Sequence, residues 1–90
     1  MQVIFAPAAI DDLTDIRAYI GKFNPAAAGR MAARLIEAGE SLVVSPERGR
    51  PISRNRRELA IVPPYVIRYR IKGEIVEIIC IRHGSRRPLR

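Results

Sequence analysis

The 90-residue sequence predicts an α+β fold in which a hairpin of two helices packs on a small, twisted, mainly antiparallel sheet, in the order β-α-α-β-β-β. Two observations lead to this prediction. Apolar residues recur every three or four positions through residues 7–42, which is typical of amphipathic helices. From residue 57 onward they alternate or run continuously, as in strands. The length suits a single domain, residues 1–90, with one modest core.

The first strand and the first helix follow each other closely. Residues 2–6 (QVIFA) are rich in β-formers and predict a strand. Pro7 is suited to the first helical position, where its missing N–H is not needed. Three aspartates crowd the early turns, where the helix dipole favours anions. One apolar stripe of the helix comprises Ile10, Leu13, Ile16 and Ile20.

A second helix begins at the Asn24–Pro25 pair, with Asn24 as N-cap and Pro25 at the first position. Its apolar positions step by three and four: Ala28, Met31, Leu35, Ala38 and Leu42. Much of this side is alanine or glycine, so the two helices can approach each other closely as a hairpin. Residues 45–51 (SPERGRP) are rich in turn-forming residues and predict a loop.

Three strands are predicted in the C-terminal half. Residues 57–62 form a strand that ends at two prolines. Residues 65–71 (YVIRYRI) alternate, with Arg68 and Arg70 on the face opposite the apolar side chains. A tight turn at Lys72–Gly73 leads to residues 74–82, which are apolar on much of both faces and therefore predict a central strand.

Charge divides the chain in two. Residues 1–47 hold four basic and six acidic side chains, a net charge of −2, whereas residues 48–90 hold twelve basic and three acidic ones, a net charge of +9. Fourteen of the sixteen cations are arginine, whose planar fork suits phosphate or carboxylate. A compositional bias toward arginine is the alternative, but it does not explain the division. The C-terminal half is therefore expected to face an acidic partner.

Several protein classes and sites are excluded by composition. No apolar run approaches the roughly 20 residues that a membrane span needs, and the first residues do not resemble a signal peptide. A single cysteine predicts a reduced, cytoplasmic setting. One cysteine and one histidine do not make a zinc site, and no nucleotide-binding glycine motif occurs. We expect no metal and no cofactor.

The basic half still contains groups for RNA cleavage. Attack by a 2′-hydroxyl needs a proton acceptor, a proton donor and cations for the developing charge. Glu58 and His83 are the candidate acid–base groups, and the candidate cations are Arg57, Arg82, Arg86 and Arg87. The alternatives are a salt bridge for Glu58 and a surface or packing role for His83. Cys80 lies in an apolar strand, as a structural thiol does.

Ordered motifs along the whole chain resemble the RelE/ParE toxin superfamily. They are A-x-x-D-L-x-x-I-x-x-Y-I from Ala9 to Ile20, N-P-A-A-A at residues 24–28, L-x-x-x-P-x-x-G-R from Leu42 to Arg50, R-E-L at residues 57–59, Y-x-I-x-Y at residues 65–69, and H-G-x-R from His83 to Arg86. The resemblance implies a type II toxin neutralised by a cognate acidic antitoxin in a hetero-oligomer. The antitoxin would be ParD-like, with a ribbon-helix-helix DNA-binding part and an acidic C-terminal segment. Its amphipathic helix would lie on the small-residue stripe of the helix hairpin. The toxin itself would bind neither DNA sequence-specifically nor a membrane.

The superfamily has two activities, and the details resemble the ParE branch, which inhibits DNA gyrase and is associated with plasmid stabilization. The tail after His83 reads GSRRPLR and has neither the tyrosine nor the lysine expected of an RNA-cleaving member. The resemblance therefore implies a non-enzymatic growth inhibitor. A ribosome-dependent RNase that uses Glu58, Arg82 and His83 and a non-toxic corepressor remain the alternatives. Target or antitoxin contacts are expected at Arg57, Arg68, Arg70, Arg82, His83, Arg86 and Arg87.

Arg86 and Arg87 generate the first testable prediction. Changing both to alanine should slow association with an acidic antitoxin and flatten its salt dependence, because rim charges mainly steer encounter. Dissociation should change less. The measurement is stopped-flow association at several salt concentrations, and an unchanged salt slope would contradict the prediction.

Overall fold

The computed structural model describes residues 1–84 of the chain and confirms the predicted fold class. Two helices are followed by four strands, and a further strand precedes them. The elements are β1 (Gln2–Phe5), α1 (Pro7–Gly21), α2 (Pro25–Glu40), a 3₁₀ turn (Ser41–Val43), β2 (Arg50–Ser53), β3 (Arg56–Val62), β4 (Tyr65–Lys72) and β5 (Ile75–His83). The sheet order is β1-β5-β4-β3-β2, with β1 parallel to β5 and all other neighbours antiparallel.

Strand β2 is the one strand within residues 1–84 that the sequence analysis did not predict. It has four residues and pairs with β3, where part of it was expected to be loop. It contains Pro51, which removes a donor from the ladder and is tolerated because β2 is an edge strand. The turn at Arg54–Asn55 joins it to β3, and Asn55 adopts the left-handed conformation (φ 65°) that such tight turns require.

The helix starts agree with the sequence, and so do three of the four predicted stripe residues of α1, Leu13, Ile16 and Ile20, which pack against the core. The Asn24 side chain accepts a hydrogen bond from Ala27 N at 3.0 Å, as expected of an N-cap. Ile10, however, is 51% exposed, and Ala9 is fully buried in its place. The residues of α1 that contact the core are Ala9, Leu13, Ile16 and Ile20, again at spacings of four and three. The rotation that seats Ala9 under the core turns Ile10 outward.

Three small residues of α2, namely Ala28, Ala38 and Gly39, are buried inside the domain. Ala28 and Ala38 belong to the buried residues, and a Cβ on Gly21 would lie 3.9 Å from the Ala28 Cβ. A Cβ on Gly39 would lie 2.8 Å from the Phe5 ring. These residues permit close packing of the hairpin, as predicted. Ala26 and Ala33 of the same helix are exposed, so the docking of an antitoxin helix on small residues of the hairpin stays a prediction.

The core lies between the helices and one face of the sheet. On β4, Tyr65, Ile67 and Tyr69 are buried, which confirms the predicted alternation. Strand β5 lies between β1 and β4, an interior position as expected. The register slips beside Ile79, because Arg68 is opposite Cys80 whereas Tyr69 is opposite Ile78. The bulge lets Ile78 and Ile81 face the same core although their spacing is odd.

A buried tyrosine fixes the loop before β2 to the middle of the sheet. The Tyr69 hydroxyl donates to Pro46 O at 2.7 Å and accepts from Gly49 N at 2.8 Å. Arg57 adds hydrogen bonds to Glu47 O and Gly49 O, at 3.1 Å and 2.8 Å. A Cβ on Gly49 would lie 2.6 Å from the Tyr69 oxygen, so only glycine fits there. The loop is thus held by its backbone.

Tyr69→Phe should lower the free energy of unfolding by about 1–3 kcal/mol, because it leaves a buried N–H and a carbonyl without their partner. The matched control is Tyr19→Phe, which removes a hydroxyl from a largely exposed side chain and should change stability by less than about 0.5 kcal/mol. Urea unfolding of both variants tests this. Equal effects of the two substitutions would contradict the proposed role of the hydroxyl.

Candidate functional site

The face of the sheet turned away from the helices carries a band of cations. Pairing places Arg56 opposite Arg70 and Glu58 opposite both Arg50 and Arg68, so these side chains share one face. Lys72 and Arg82 lie on the same face of β4 and β5 by alternation. We call this surface the arginine band: Arg50, Arg56, Arg68, Arg70, Lys72 and Arg82, with Glu58 and Glu77 between them.

Two glutamates hold three of the arginines in place. Glu58 accepts hydrogen bonds from Arg50 Nη2 and Arg68 Nε, both at 2.8 Å, and its side chain is only 16% exposed. Glu77 accepts from Arg70 Nε at 2.7 Å. These charge-assisted bonds span β2 to β5 and orient the guanidinium groups across the sheet. The salt bridge considered for Glu58 is therefore present.

The other three cations of the band, Arg56, Lys72 and Arg82, have no ion pair within residues 1–84. Arg56 moreover lies directly opposite Arg70 on the neighbouring strand, an arrangement of like charges that destabilises a sheet. Six cations against two anions leave the band with a net positive charge. An anionic partner would relieve this repulsion and receive planar, bidentate donors.

The predicted contact residues fall into three groups. Arg68, Arg70 and Arg82 lie on the arginine band. Arg57 points to the other face, where it binds the carbonyls of the loop before β2 and so has a structural role. Arg86 and Arg87 lie outside the described residues.

The candidate acid–base pair is not brought together. Glu58 faces the arginine band, whereas His83 is opposite Tyr65, whose side chain is buried on the helix side. The rings of His83 and Tyr65 meet edge to face, with centroids 5.6 Å apart. Two side chains on opposite faces of one sheet cannot act on the same phosphate. Among residues 1–84 there is also no group of three histidine, cysteine or acidic side chains that could hold a metal.

A groove of about 560 Å³ lies between α1 and the C-terminal half of β5. Sequence reasoning did not identify it. Its least expected contact is a hydrogen bond from Ile81 N to Asp12 Oδ2 at 2.8 Å, which joins residues 69 positions apart. A helical aspartate near the N-terminus is accounted for by the helix dipole, so no local signal pointed to this contact.

The comparison with known families agrees with this architecture. A family model described as "ParE toxin of type II toxin-antitoxin system, parDE" matches residues 3–88. The chain belongs to the ParE toxin family. It is therefore a toxin of the type II toxin–antitoxin class within the RelE/ParE superfamily, and an antitoxin partner is implied.

Named relatives cover most of the toxin. "Toxin RelE2" of Caulobacter vibrioides is 53% identical over 85 residues, 94% of this chain and 97% of the relative. "Putative toxin Y4kP" of Sinorhizobium fredii is 41% identical over 78 residues, 84% of this chain and 80% of the relative. The structure titled "Chromosomal ParDE TA system from P. aeruginosa" has the same fold, with a TM-score of 0.83, 24% identity and coverage of 92% and 95%. No helix within residues 1–84 is long and apolar enough to cross a membrane.

Glu58→Gln should destabilise the toxin by about 1 kcal/mol, because it weakens the anchor of Arg50 and Arg68 and leaves more uncompensated positive charge. Glu74→Gln is the matched control: its carboxylate is 90% exposed and should contribute less than about 0.5 kcal/mol. Urea unfolding at low and high salt measures both. The Glu58 effect should shrink as salt rises. A loss at low salt that is equal to that of the control would contradict the prediction.

Proposed function

We propose that this toxin arrests growth by binding and inhibiting DNA gyrase rather than by cleaving RNA. The observation that carries the proposal is the separation of Glu58 and His83 on opposite faces of the sheet. A general acid and a general base must lie within hydrogen-bond reach of one substrate. Glu58 is in addition occupied by two arginines. These facts favour a protein that acts by binding.

The arginine band supplies the binding surface in this proposal. Arg56, Lys72 and Arg82 are the cations of the band without an ion pair in the described part of the chain, and the two arginines lie toward opposite ends of the band. Guanidinium groups form forked hydrogen bonds with carboxylates and phosphates alike. Gyrase engaged on DNA offers both, and the band needs no particular DNA sequence to use them.

Neutralisation completes the proposed function. A ParD-like antitoxin with a ribbon-helix-helix part and an acidic segment would hold the toxin in a hetero-oligomer, and loss of the antitoxin would release it. Such a pair stabilises a plasmid, because cells that lose the plasmid lose the shorter-lived protection. Since the target acts on the chromosome, the setting would be cytoplasmic.

Purified toxin should inhibit supercoiling by gyrase, and Arg56→Ala combined with Arg82→Ala should weaken that inhibition. Two exposed contacts of roughly 0.2–1 kcal/mol each correspond to about a twofold to thirtyfold rise in the inhibitory concentration. The matched control is Arg17→Ala with Arg30→Ala, which removes two exposed helix arginines. It should change the inhibitory concentration less than about twofold.

Three outcomes would decide against this function. Unaffected supercoiling without a cleaved-DNA complex would exclude gyrase as the target. Codon-positioned mRNA cuts on translating ribosomes, abolished by His83→Ala, would establish the RNase alternative instead. Normal growth when the toxin is expressed without its antitoxin would establish a non-toxic corepressor.

A further inference from the structure

The arginine band is a broad patch rather than a pocket. It crosses four neighbouring strands, from Arg50 on β2 to Arg82 on β5. At about 4.8 Å between strands this corresponds to a width of roughly 14 Å. Along β4 it runs from Arg68 to Lys72, and at about 3.4 Å per residue this gives a length of roughly 13 Å. Such a patch suits an extended partner with repeated negative charges better than it suits a single anionic group.

The cations without an ion pair are spread over this patch. Arg56 and Lys72 lie toward one end of it, on β3 and β4, and both are exposed. Arg82 lies toward the other end, opposite Val66. Six cations and two glutamates give the band a net charge of +4, which is more than half of the +7 of the whole chain. The positive charge is therefore concentrated on one face of the sheet and distributed across it.

The aromatic side chains all lie away from the band. The chain has three tyrosines, two phenylalanines and no tryptophan. Tyr65 and Tyr69 are buried on the helix side, Phe5 packs against the core, Tyr19 belongs to α1, and Phe23 follows that helix. Proteins that bind single-stranded nucleic acid stack the bases on aromatic rings. The band lacks such rings, so it is suited to contact a charged backbone and not to hold unstacked bases.

The charge of the band fits duplex DNA better than it fits a protein surface. Interfaces with DNA are much more positively charged than interfaces between proteins. A protein surface mixes charges of both signs, so part of it would repel the band. Duplex DNA presents only anions, about one for every 1.7 Å of its axis. Because the minor groove is only about 6 Å wide, a patch of this width can contact the phosphates on both of its sides.

The glutamates of the band do not prevent such contacts. Arg68 and Arg70 bind Glu58 and Glu77 through Nε, at 2.8 Å and 2.7 Å. A guanidinium group has five N–H donors, so both arginines carry further donors that a phosphate can accept. The glutamates thus orient the guanidinium groups, while their two negative charges lower the affinity for a polyanion.

We propose that the arginine band binds the phosphate backbone of duplex DNA directly and without reading its sequence, so that the toxin contacts the DNA on which gyrase acts. Arg56, Lys72 and Arg82 neutralise phosphates, and the arginines held by glutamates donate additional hydrogen bonds. The choice of DNA rests on the proposed function, in which the target works on DNA. The binding itself requires only the toxin.

The first test measures the fluorescence anisotropy of a short labelled DNA duplex with purified toxin at several salt concentrations. Release of counterions by the three cations without an ion pair predicts a slope of about −3 or steeper for the logarithm of the association constant against the logarithm of the salt concentration. Two duplexes of unrelated sequence should bind with affinities that agree within about threefold. A slope no steeper than about −1, or a strong preference for one sequence, would overturn the proposal.

The second test asks whether the band, rather than net charge alone, binds the duplex. Arg56→Ala with Arg82→Ala should make the slope shallower by about two and weaken binding roughly tenfold or more at low salt, equally for both duplexes. Arg17→Ala with Arg30→Ala removes the same charge from exposed positions of α1 and α2 and should change the slope by less than about 0.5. Circular dichroism confirms that both variants are folded. Equal losses in the two variants would overturn the assignment to the band.

A third variant should change binding in the opposite direction. Glu77→Gln removes a negative charge from the band and releases Arg70, so it should tighten DNA binding by about threefold or more. Glu40→Gln, at the end of α2, changes the net charge by the same amount and is the matched control. An effect of Glu77→Gln no larger than that of the control would contradict the proposal.

Other nucleic acids establish which kind the band prefers. Single-stranded DNA of the same length should bind more weakly than the duplex, because its charge density is lower and the band has no ring on which bases could stack. Binding to duplex DNA at least as tight as binding to duplex RNA supports the assignment. Tighter binding of a single strand or of duplex RNA would overturn it.

None of these assays contains gyrase, so the two proposals can fail separately. A toxin that binds DNA and leaves supercoiling unchanged would contradict the proposed target alone. A toxin that inhibits gyrase and does not bind DNA would contradict this inference alone.

Discussion

The hydroxyl of Tyr69 is the contact on which the basic surface depends. It lies in the core, yet it bonds both Pro46 O and Gly49 N and so draws the loop before β2 onto the central strand. That loop ends at Arg50, whose position opposite Glu58 starts the arginine band. An unpaired buried hydroxyl would cost free energy, and two buried backbone groups would cost more. One side chain satisfies all three and at the same time sets the edge of the sheet.

The band combines stability with unsatisfied charge. An arginine-rich face would repel itself, and Glu58 and Glu77 offset this by binding Arg50, Arg68 and Arg70. Each cross-strand pair contributes only about 0.2–1 kcal/mol, so the glutamates orient the guanidinium groups more than they stabilise the fold. Arg56, which lies directly opposite Arg70, has no ion pair with either glutamate. The two glutamates thus offset part of the repulsion within the sheet, and the remaining positive charge still favours an anionic partner.

Periodic patterns predicted the helices and the alternation of β4 because those signals repeat within one element. They failed where a contact depends on distant residues. Strand β2 is short and contains Pro51, and its evidence is its pairing with β3 rather than its own composition. Ala9 is buried in place of Ile10 because of the way α1 is rotated against β5. A stripe of apolar residues predicts which side of a helix is buried, but it does not predict the rotation of the helix to within one residue. The hydrogen bonds of Arg57, which was expected at a target or antitoxin contact, also go to backbone carbonyls of a loop that no pattern within β3 indicates.

The arginine band and the groove beside α1 meet at one strand, β5. Arg82 belongs to the arginine band by its position opposite Val66, and it also lines the groove beside α1. Arg82 is one of three cations of the band, with Arg56 and Lys72, that have no ion pair within residues 1–84. Strand β1 pairs with β5 only as far as Ile78. The part of β5 beyond Ile78 therefore runs beside α1 instead, and it places Arg82 where the groove and the arginine band meet.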